Sequence, residues 1–151
     1  MNVVIRRASP GDAGPAADVL IRSRRAAFPA VPLAVHSDDE VREWFRAVVV
    51  PQREVWVAET PGDGALVAVM VLHDGWVDQL YVHPSHTGRG IGSRLLDVPK
   101  STASRLDLWA FQSNVDALRL YGRHGFVEVE RTDGAGNEEG APDVHLRWER
   151  A

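Results

Sequence analysis

Apolar and polar residues recur along the chain with two different periods, and each period predicts a different kind of element. Four apolar residues follow Ser37 at the spacing of one helix face: Val41, Trp44, Phe45 and Val48. Further along the period becomes two, with Val55 and Val57 at alternate positions, which is typical of strands. Clusters of Gly, Pro and Asp at residues 61–64 and 74–75 separate the strand-like segments, so these strands are predicted to pair antiparallel.

The whole pattern predicts seven strands and four helices. The predicted strands are residues 3–5, 55–58, 65–72, 76–82, 106–111, 126–129 and 144–148. The predicted helices begin near residues 10, 38, 90 and 114. The order β-α-α-β-β-β-α-β-α-β-β predicts an α/β (mixed α+β) fold, with a mixed, mostly antiparallel sheet flanked by helices.

Capping residues mark where two of the helices begin. Ser9 followed by Pro10 is a typical helix start, and Ser37 with Glu40 has the spacing of a capping box. Pro99 falls in the third predicted helix. Because proline has no backbone N–H to donate, we expect this helix to be interrupted or kinked there.

Length and composition indicate an ordinary globular protein. The 151 residues fit a single domain, 1–151, and 44% hydrophobic with 25% charged residues excludes wholesale disorder. Cysteine is absent, which excludes disulfides, thiol nucleophiles and thiolate zinc sites, and we predict no metal site.

The net charge and the length of the apolar runs limit which binding partners are expected. The formal net charge is −4, which disfavours nucleic-acid binding by phosphate neutralisation. No apolar run approaches the roughly 20 residues that span a bilayer, and no basic segment precedes a long apolar one near Met1. We therefore expect a cytoplasmic monomer or homodimer without membrane contact.

A glycine-rich segment, Thr87 to Ser93, lies between a predicted strand and a predicted helix. Backbone N–H groups of such a loop, together with the helix N-terminus, bind anions such as a pyrophosphate. Three interpretations remain open. A dinucleotide-binding loop needs its third glycine one residue later, a P-loop needs a lysine that is found only at Lys100, and a tight turn needs glycine only for its backbone conformation.

Two motifs resemble the GNAT superfamily of N-acetyltransferases. The first is Leu80-Tyr81-Val82-His83-Pro84 followed by Gly88-Arg89-Gly90-Ile91-Gly92, which is similar to a family strand ending in L-Y-V-x-P and a Q/R-x-x-G-x-G/A loop. The second comprises Asn114, Ala117, Tyr121, Gly125 and Phe126, which is similar to N-x-x-A-x-x-x-Y-x-x-x-G-F. The motifs cover about half of the chain, and the predicted order of elements covers nearly all of it. Thr87 stands where the family usually has Gln or Arg, which puts one side-chain contact to the phosphates in doubt.

The resemblance implies acetyl-CoA as cosubstrate, with coenzyme A as product. The strand before the loop would offer backbone groups to the pantetheine arm, and the glycine loop would hold the pyrophosphate. Asn114 would contact the pantetheine or only cap its helix. The implied cofactor-binding residues are Leu80, Tyr81, Val82, Gly88, Arg89, Gly90, Gly92, Ser93 and Asn114.

Tyr121 is the first candidate catalytic residue. It follows Asn114 by seven residues and so lies on the same helix face. The resemblance implies that its phenol acts as a general acid toward the departing thiolate. A core tyrosine packed on Phe126 is the alternative.

A base is also required, because an aliphatic amine is mostly protonated at neutral pH. Asp78 precedes Leu80 by two residues, so strand alternation places both on one face, and Asp78 is the second candidate catalytic residue. His73, His83 and a water relay remain open as alternatives.

These observations predict an acetyl-CoA-dependent N-acetyltransferase. It would move the acetyl group to a primary amine of a small molecule, peptide or protein by direct attack. A non-catalytic acyl-CoA-binding sensor or interaction module of the same fold is the alternative. The acceptor itself is not indicated by the sequence.

Overall fold

The computed structural model describes residues 2–151 and has one seven-stranded sheet. The strands are β1 Val4–Arg7, β2 Glu54–Glu59, β3 Leu66–His73, β4 Trp76–Val82, β5 Arg105–Phe111, β6 Val127–Thr132 and β7 Asp143–Glu149. The helices are α1 Ala13–Ala27, α2 Asp38–Trp44, α3 Val50–Gln52, α4 Ile91–Lys100 and α5 Val115–Arg123. No helix within residues 2–151 is both long and apolar enough to cross a bilayer.

The sheet order is β1-β2-β3-β4-β5-β7-β6. Every neighbouring pair is antiparallel except β4 and β5, which are parallel. The mixed, mostly antiparallel sheet predicted from the periodicity is therefore confirmed. The single parallel pair arises because α4 connects β4 to β5, and a crossover through a helix returns the chain in the same direction.

The second predicted helix starts as expected but does not stay regular. Ser37 and Glu40 form the capping box: the Glu40 amide donates to Ser37 Oγ at 3.2 Å, and the Ser37 amide donates to Glu40 Oε1 at 2.9 Å. After α2 the chain widens into a π-helical segment, Phe45–Val49, before α3. The periodicity does not reveal this widening, because the buried Phe45 and Val49 keep helical spacing through it.

Pro99 does not interrupt or kink α4 as predicted, and that expectation is wrong. The helix continues through Pro99 and ends at Lys100. Proline at this position removes a single donor in the last turn, where the helix is already closing. The Ser101 amide still reaches the Asp97 carbonyl at 3.1 Å, and the buried Pro99 ring contributes to the core.

Two apolar clusters cover the two faces of the sheet. On one face α1 and the α2 region pack against β2 and β3, with the fully buried Phe45 among them. On the other face α4, Tyr121 and Phe126 pack against β3, β5 and β7. Burial of the alternating residues on both faces holds the central strands in register, which fixes where β4 and β5 can separate.

The first turn of the chain after β1 is held by a half-buried ion pair. Arg6 donates to both carboxylate oxygens of Asp12, at 2.7 and 3.1 Å, and the Ser9 amide donates to the same carboxylate at 2.8 Å. The hydrogen bond from Arg6 is the main cause that lowers the pKa of Asp12 from 3.8 to about 2.

This pair predicts a specific acid sensitivity. The stabilisation by Asp12 is fully present above about pH 4 and is lost as the pH falls toward 2, because the folded-state pKa lies below the unfolded one. We expect Asp12→Asn to lower the free energy of unfolding by about 2 kcal/mol at pH 7 and by almost nothing near pH 2. Urea titrations at several pH values measure this, with the exposed Asp97→Asn as control. An equal loss at both pH values would contradict it.

Candidate functional site

The central sheet opens into a fork between β4 and β5. Within residues 2–151 these two strands are in register at one pair only, Trp76 with Asp107, beside which the Asp107 amide donates to the Gly75 carbonyl at 3.0 Å. Beyond that point β4 remains paired with β3, and β5 remains paired with β7. A cleft of about 820 Å³ fills the space between the diverging strands, which is within the range of ligand and cofactor sites.

A β-bulge lies on β4 where the fork begins. Leu72 pairs with Val77, whereas the preceding β3 residue pairs with Gln79, so Asp78 is an extra residue in β4. As a result Val77 packs in the same cluster as Leu80, although strict alternation would separate them. The alternation that placed Asp78 beside Leu80 is broken at Asp78 itself, and it does not determine where this side chain points.

The carboxylate of Asp78 has a partner that the sequence pattern did not suggest. Arg53 Nη1 donates to Asp78 Oδ2 at 2.6 Å, and both side chains are 26% exposed. Asp78 also lines the cleft. A carboxylate in a close ion pair has its negative charge already compensated, which weakens the case for Asp78 as the proton acceptor.

The two histidines considered as alternative bases have local partners. His83 accepts from the Ser85 amide at 3.1 Å and so caps the turn after β4. His73 lies 3.2 Å from Asp74 in the turn between β3 and β4. Neither residue lines the cleft.

The glycine-rich segment forms the wall of the cleft at the start of α4. Gly88 and Gly90 have φ of 74° and 79°, a conformation that favours glycine, and both line the cleft with Gly92 and Ser93. A Cβ at Gly92 would lie 3.2 Å from Leu120 Cδ2. The loop therefore brings backbone N–H groups and the α4 N-terminus close to the cavity.

The arginines that line the cleft are not the arginine predicted from the sequence. Arg89 was expected to contact the phosphates, but it is not among the residues that line the cleft. Arg119 and Arg123 line it instead, one turn apart on α5. Their four-residue spacing on the helix that carries Tyr121 was the available signal.

The start of α5 agrees with both interpretations of Asn114. Its Oδ1 accepts from the Ala117 amide at 3.3 Å, so the side chain caps the helix. The same residue lines the cleft. Leu80, Tyr81 and Val82 also line the cleft, and the Val82 carbonyl oxygen accepts a hydrogen bond from Ser23 Oγ at 2.8 Å.

Tyr121 is buried and still faces the cleft. Its ring packs edge-to-face on Phe126, with centroids 5.6 Å apart, as the packing alternative requires. The hydroxyl has no hydrogen-bond partner in residues 2–151, and it is not a fully buried unpaired atom, since Arg24 Nε is the one such atom described. Burial raises the pKa of Tyr121, with a smaller contribution from Tyr81. The phenol thus stays protonated at neutral pH and is available as a donor.

A buried polar cluster beside the fork was missed by the sequence reasoning. Asp107 Oδ1 accepts from His145 Nε2 and from Arg147 Nε, each at 2.8 Å, and Asp107 Oδ2 accepts from Arg105 Nε at 2.9 Å. Burial raises the pKa of Asp107, but these hydrogen bonds outweigh burial and lower the pKa to about 2. The signal was a polar residue at the centre of each of two apolar strands, at Asp107 in β5 and His145 in β7.

The ring of His145 is held between two tryptophans. Trp76 stacks on it with centroids 4.9 Å apart, and Trp109 lies at 5.2 Å on a tilted plane. Trp109 pairs with His145 across β5 and β7 and also lines the cleft.

The fold and the cleft define a class of protein: a mixed α/β domain whose parallel central strands separate beside a glycine-rich helix start. Residues 51–128 match the family model described as an acetyltransferase (GNAT) domain, and the chain belongs to this family. The resemblance seen in the motifs is thereby confirmed.

Relatives agree with this assignment. An amino-acid acetyltransferase of Mycobacterium tuberculosis is 35% identical over 53% of this chain and 49% of its own length. The peptidyl-lysine N-acetyltransferase YjaB of Salmonella typhimurium is 30% identical over 56% of this chain and 57% of its own length. The chain therefore spans about half the length of the curated relatives it matches.

Solved structures show the same fold over the whole chain. The solution structure of apo YjaB from Escherichia coli has a TM-score of 0.78, with 24% identity and complete coverage of both chains. Other structural matches were solved with acetyl-CoA or coenzyme A bound.

Proposed function

We propose that this protein transfers an acetyl group from acetyl-CoA to a primary amine. The observation that carries the proposal is the fork between β4 and β5, where Tyr121 lines a cleft of about 820 Å³. Family membership and the acetyltransferase relatives support the same reaction class.

The residues of the cleft fit an acyl-CoA along its length. Beyond Trp76, β4 has no strand partner on the β5 side, so its backbone is free to bond the amide-bearing pantetheine arm as an added strand does. The loop from Gly88 to Ser93 and the α4 N-terminus offer backbone N–H groups to the pyrophosphate. Arg119 and Arg123 add positive charge at the same wall.

Acetyl-CoA supplies an acetyl group activated as a thioester. The chain itself orients this group, offers backbone N–H groups of β4 to the carbonyl oxygen, and holds a protonated phenol at Tyr121. The tyrosine hydroxyl donates its proton to the sulfur as the thiolate departs. The packing of Tyr121 on Phe126 fixes the ring for this purpose.

Release of free thiol from acetyl-CoA in the presence of a panel of primary amines tests the proposal. The chain has no cysteine, so every thiol detected comes from coenzyme A. The panel should contain free amino acids, lysine-containing peptides and polyamines. Amine-dependent thiol release with formation of the acetylated amine supports transferase activity, and release without an acetylated product does not.

Binding of coenzyme A should stabilise the fold measurably. A ligand specific for the native state adds about 2.7 kcal/mol at a concentration of 100 times its Kd. For a domain of this size we expect a rise in Tm of roughly 5–10 °C. Thermal melts with coenzyme A, with adenosine as the control ligand, measure this. An unchanged Tm at millimolar coenzyme A would contradict the assignment of the cleft.

A non-catalytic acyl-CoA-binding module remains a second candidate. The ion pair between Asp78 and Arg53 favours it, because the first candidate base is already engaged. Tight coenzyme A binding without thiol release for any amine would support this alternative.

A further inference from the structure

The cluster around Asp107 and His145 has an unusual position for buried polar groups. Their side chains are 5% and 10% exposed, and they lie on the sheet face opposite to α4, because Leu106, Leu108 and Leu146 occupy the α4 face. The helical cluster on their side is built on β2 and β3 and includes no residue of β5 or β7. Trp76 and Trp109, rather than a helix, shield the pair.

The tautomer of His145 follows from its partner. Asp107, with its pKa lowered to about 2, is ionised at neutral pH and can only accept. Nε2 of His145 must therefore carry the proton that it donates to Asp107 Oδ1 at 2.8 Å. In the neutral imidazole this leaves the lone pair on Nδ1, which makes no hydrogen bond in residues 2–151 and is not a fully buried unpaired atom. Nδ1 is therefore the ring nitrogen that is free to accept a proton.

The pair is next to the place where the strands separate. Asp107 is the β5 residue that pairs with Trp76 at the fork. His145 is the β7 partner of Trp109, which lines the cleft and is 43% exposed. The exposed face of Trp109 is suited to receive a cationic amine. His145 does not itself line the cleft, but it is the cross-strand neighbour of Trp109, with ring centroids 5.2 Å apart.

We propose that His145, oriented by Asp107, is the group that takes the proton of the acceptor amine, through a water molecule at the edge of Trp109. This inference rests on the proposed function and deepens it. Asp107 acts as a positioning residue, because it holds the tautomer and the ring direction without touching substrate.

The proton and bond changes balance with these two side chains. The amine nitrogen forms a bond to the acetyl carbon while the carbon–sulfur bond breaks. Before attack, the ammonium form of the amine passes one proton through water to His145 Nδ1, which releases it to solvent. The nitrogen loses its second proton by the same route once it is bonded to the acetyl carbon, and the thiolate takes its proton from the Tyr121 hydroxyl. Exchange with water then returns the proton from His145 and restores Tyr121.

Charged groups face His145 from each packed strand. Asp107 and Arg105 are on β5, Arg147 is on β7 itself, and Glu130 of β6 is its direct cross-strand neighbour. Trp76 of β4 is uncharged. Substituting any of these charged neighbours would change the electrostatics around His145. Among them, only Asp107 is therefore substituted in the pH test.

The kinetic test compares pH profiles of kcat/KM for the best amine. We expect His145→Gln to lose about 10²-fold or more in kcat/KM and to lose the acid limb of the profile, with coenzyme A affinity unchanged. Asp107→Asn should lose at least about tenfold. His36→Asn is the matched control, since His36 also pairs with a carboxylate, Glu138 at 3.0 Å, but at an exposed site. An acid limb that persists in His145→Gln and disappears in Asp78→Asn would overturn the proposal.

A second measurement does not depend on turnover. Nitrogen-15 NMR of histidine-labelled wild-type protein should show His145 with Nε2 protonated and Nδ1 unprotonated at pH 7.5. Its signal is assigned by its absence in His145→Phe, which keeps an aromatic ring between the two tryptophans. Protonation at Nδ1 would overturn the proposal even if no amine is turned over. Failure of the wild-type protein to bind coenzyme A, by contrast, would overturn the proposed function itself.

Discussion

Replacement of Tyr121 by phenylalanine is expected to lower kcat by about 10²-fold, the lower end of what a lost general acid costs. Two features put the expected loss of kcat at the lower end of this range. Burial raises the pKa of this phenol, which makes it a weaker acid, and a thiolate is a fair leaving group without help. The ring and its contact with Phe126 are retained, and the hydroxyl has no protein partner to lose, so stability should change little. Steady-state turnover of the best amine measures the effect.

Tm and the Kd for coenzyme A accompany this measurement, since both should match those of the wild-type protein. Tyr81→Phe is the matched comparison, because the chain has two tyrosines and both line the cleft, Tyr121 buried and Tyr81 half-buried. Its hydroxyl faces Arg24 and Glu139 on the α1 side, so we expect a far smaller loss of kcat. Equal activity of Tyr121→Phe and the wild type would assign Tyr121 to packing alone.

Replacement of Gly92 by valine is expected to weaken coenzyme A binding by about 100-fold or more, equivalent to about 2.7 kcal/mol. A Cβ at this position already approaches Leu120 Cδ2 at 3.2 Å, and a branched side chain would also enter the cleft that Gly92 lines. The first-turn N–H groups of α4 would then be separated from the phosphates they are proposed to hold. Isothermal titration calorimetry with coenzyme A measures the change.

Gly14→Val is the matched control for this substitution. Gly14 is also helical, in α1, and a Cβ there has no atom within 4 Å. Because Gly14 precedes Pro15, valine costs more helix stability here than at Gly92, but the position is not part of the cleft lining and the variant should retain full affinity. A Gly92→Val protein that folds and binds coenzyme A within threefold of the wild type would refute the pyrophosphate assignment of this loop.

The sequence predicted the order of elements well, because β3 is a continuous apolar run buried on both faces, while one-sided burial gives α2 its helical apolar spacing. It failed where a local irregularity changes the register. The bulge at Asp78 inserts one residue into β4, and no feature of the residue types announces it. Pro99 was misjudged because the cost of proline depends on how far the helix continues beyond it, and α4 ends one residue later.

The candidate site residues also differed in how clearly the sequence indicated them. The cofactor-binding and catalytic candidates of the two motifs were singled out because glycine, asparagine and tyrosine at fixed spacing are distinctive, and all of these candidates except Arg89 line the cleft. His145 and Asp107 escaped notice because they are 38 residues apart and meet only through the pairing of β5 with β7. A single polar residue inside a mostly apolar strand indicates a buried polar partner on a neighbouring strand, and this signal was present at both positions.

The fork between β4 and β5 gives this sheet two free edges at its centre, in addition to the outer edges on β1 and β6. Unpaired strand edges are sites where other chains can add and start aggregation. Here both central edges face a cleft lined by residues of α4, α5 and the glycine-rich loop, into which a thin, amide-bearing chain would fit. Such a chain would bond to the free backbone groups of β4 and complete the sheet there. Selectivity for an extended, peptide-like arm would then reside in the main chain rather than in the surrounding side chains.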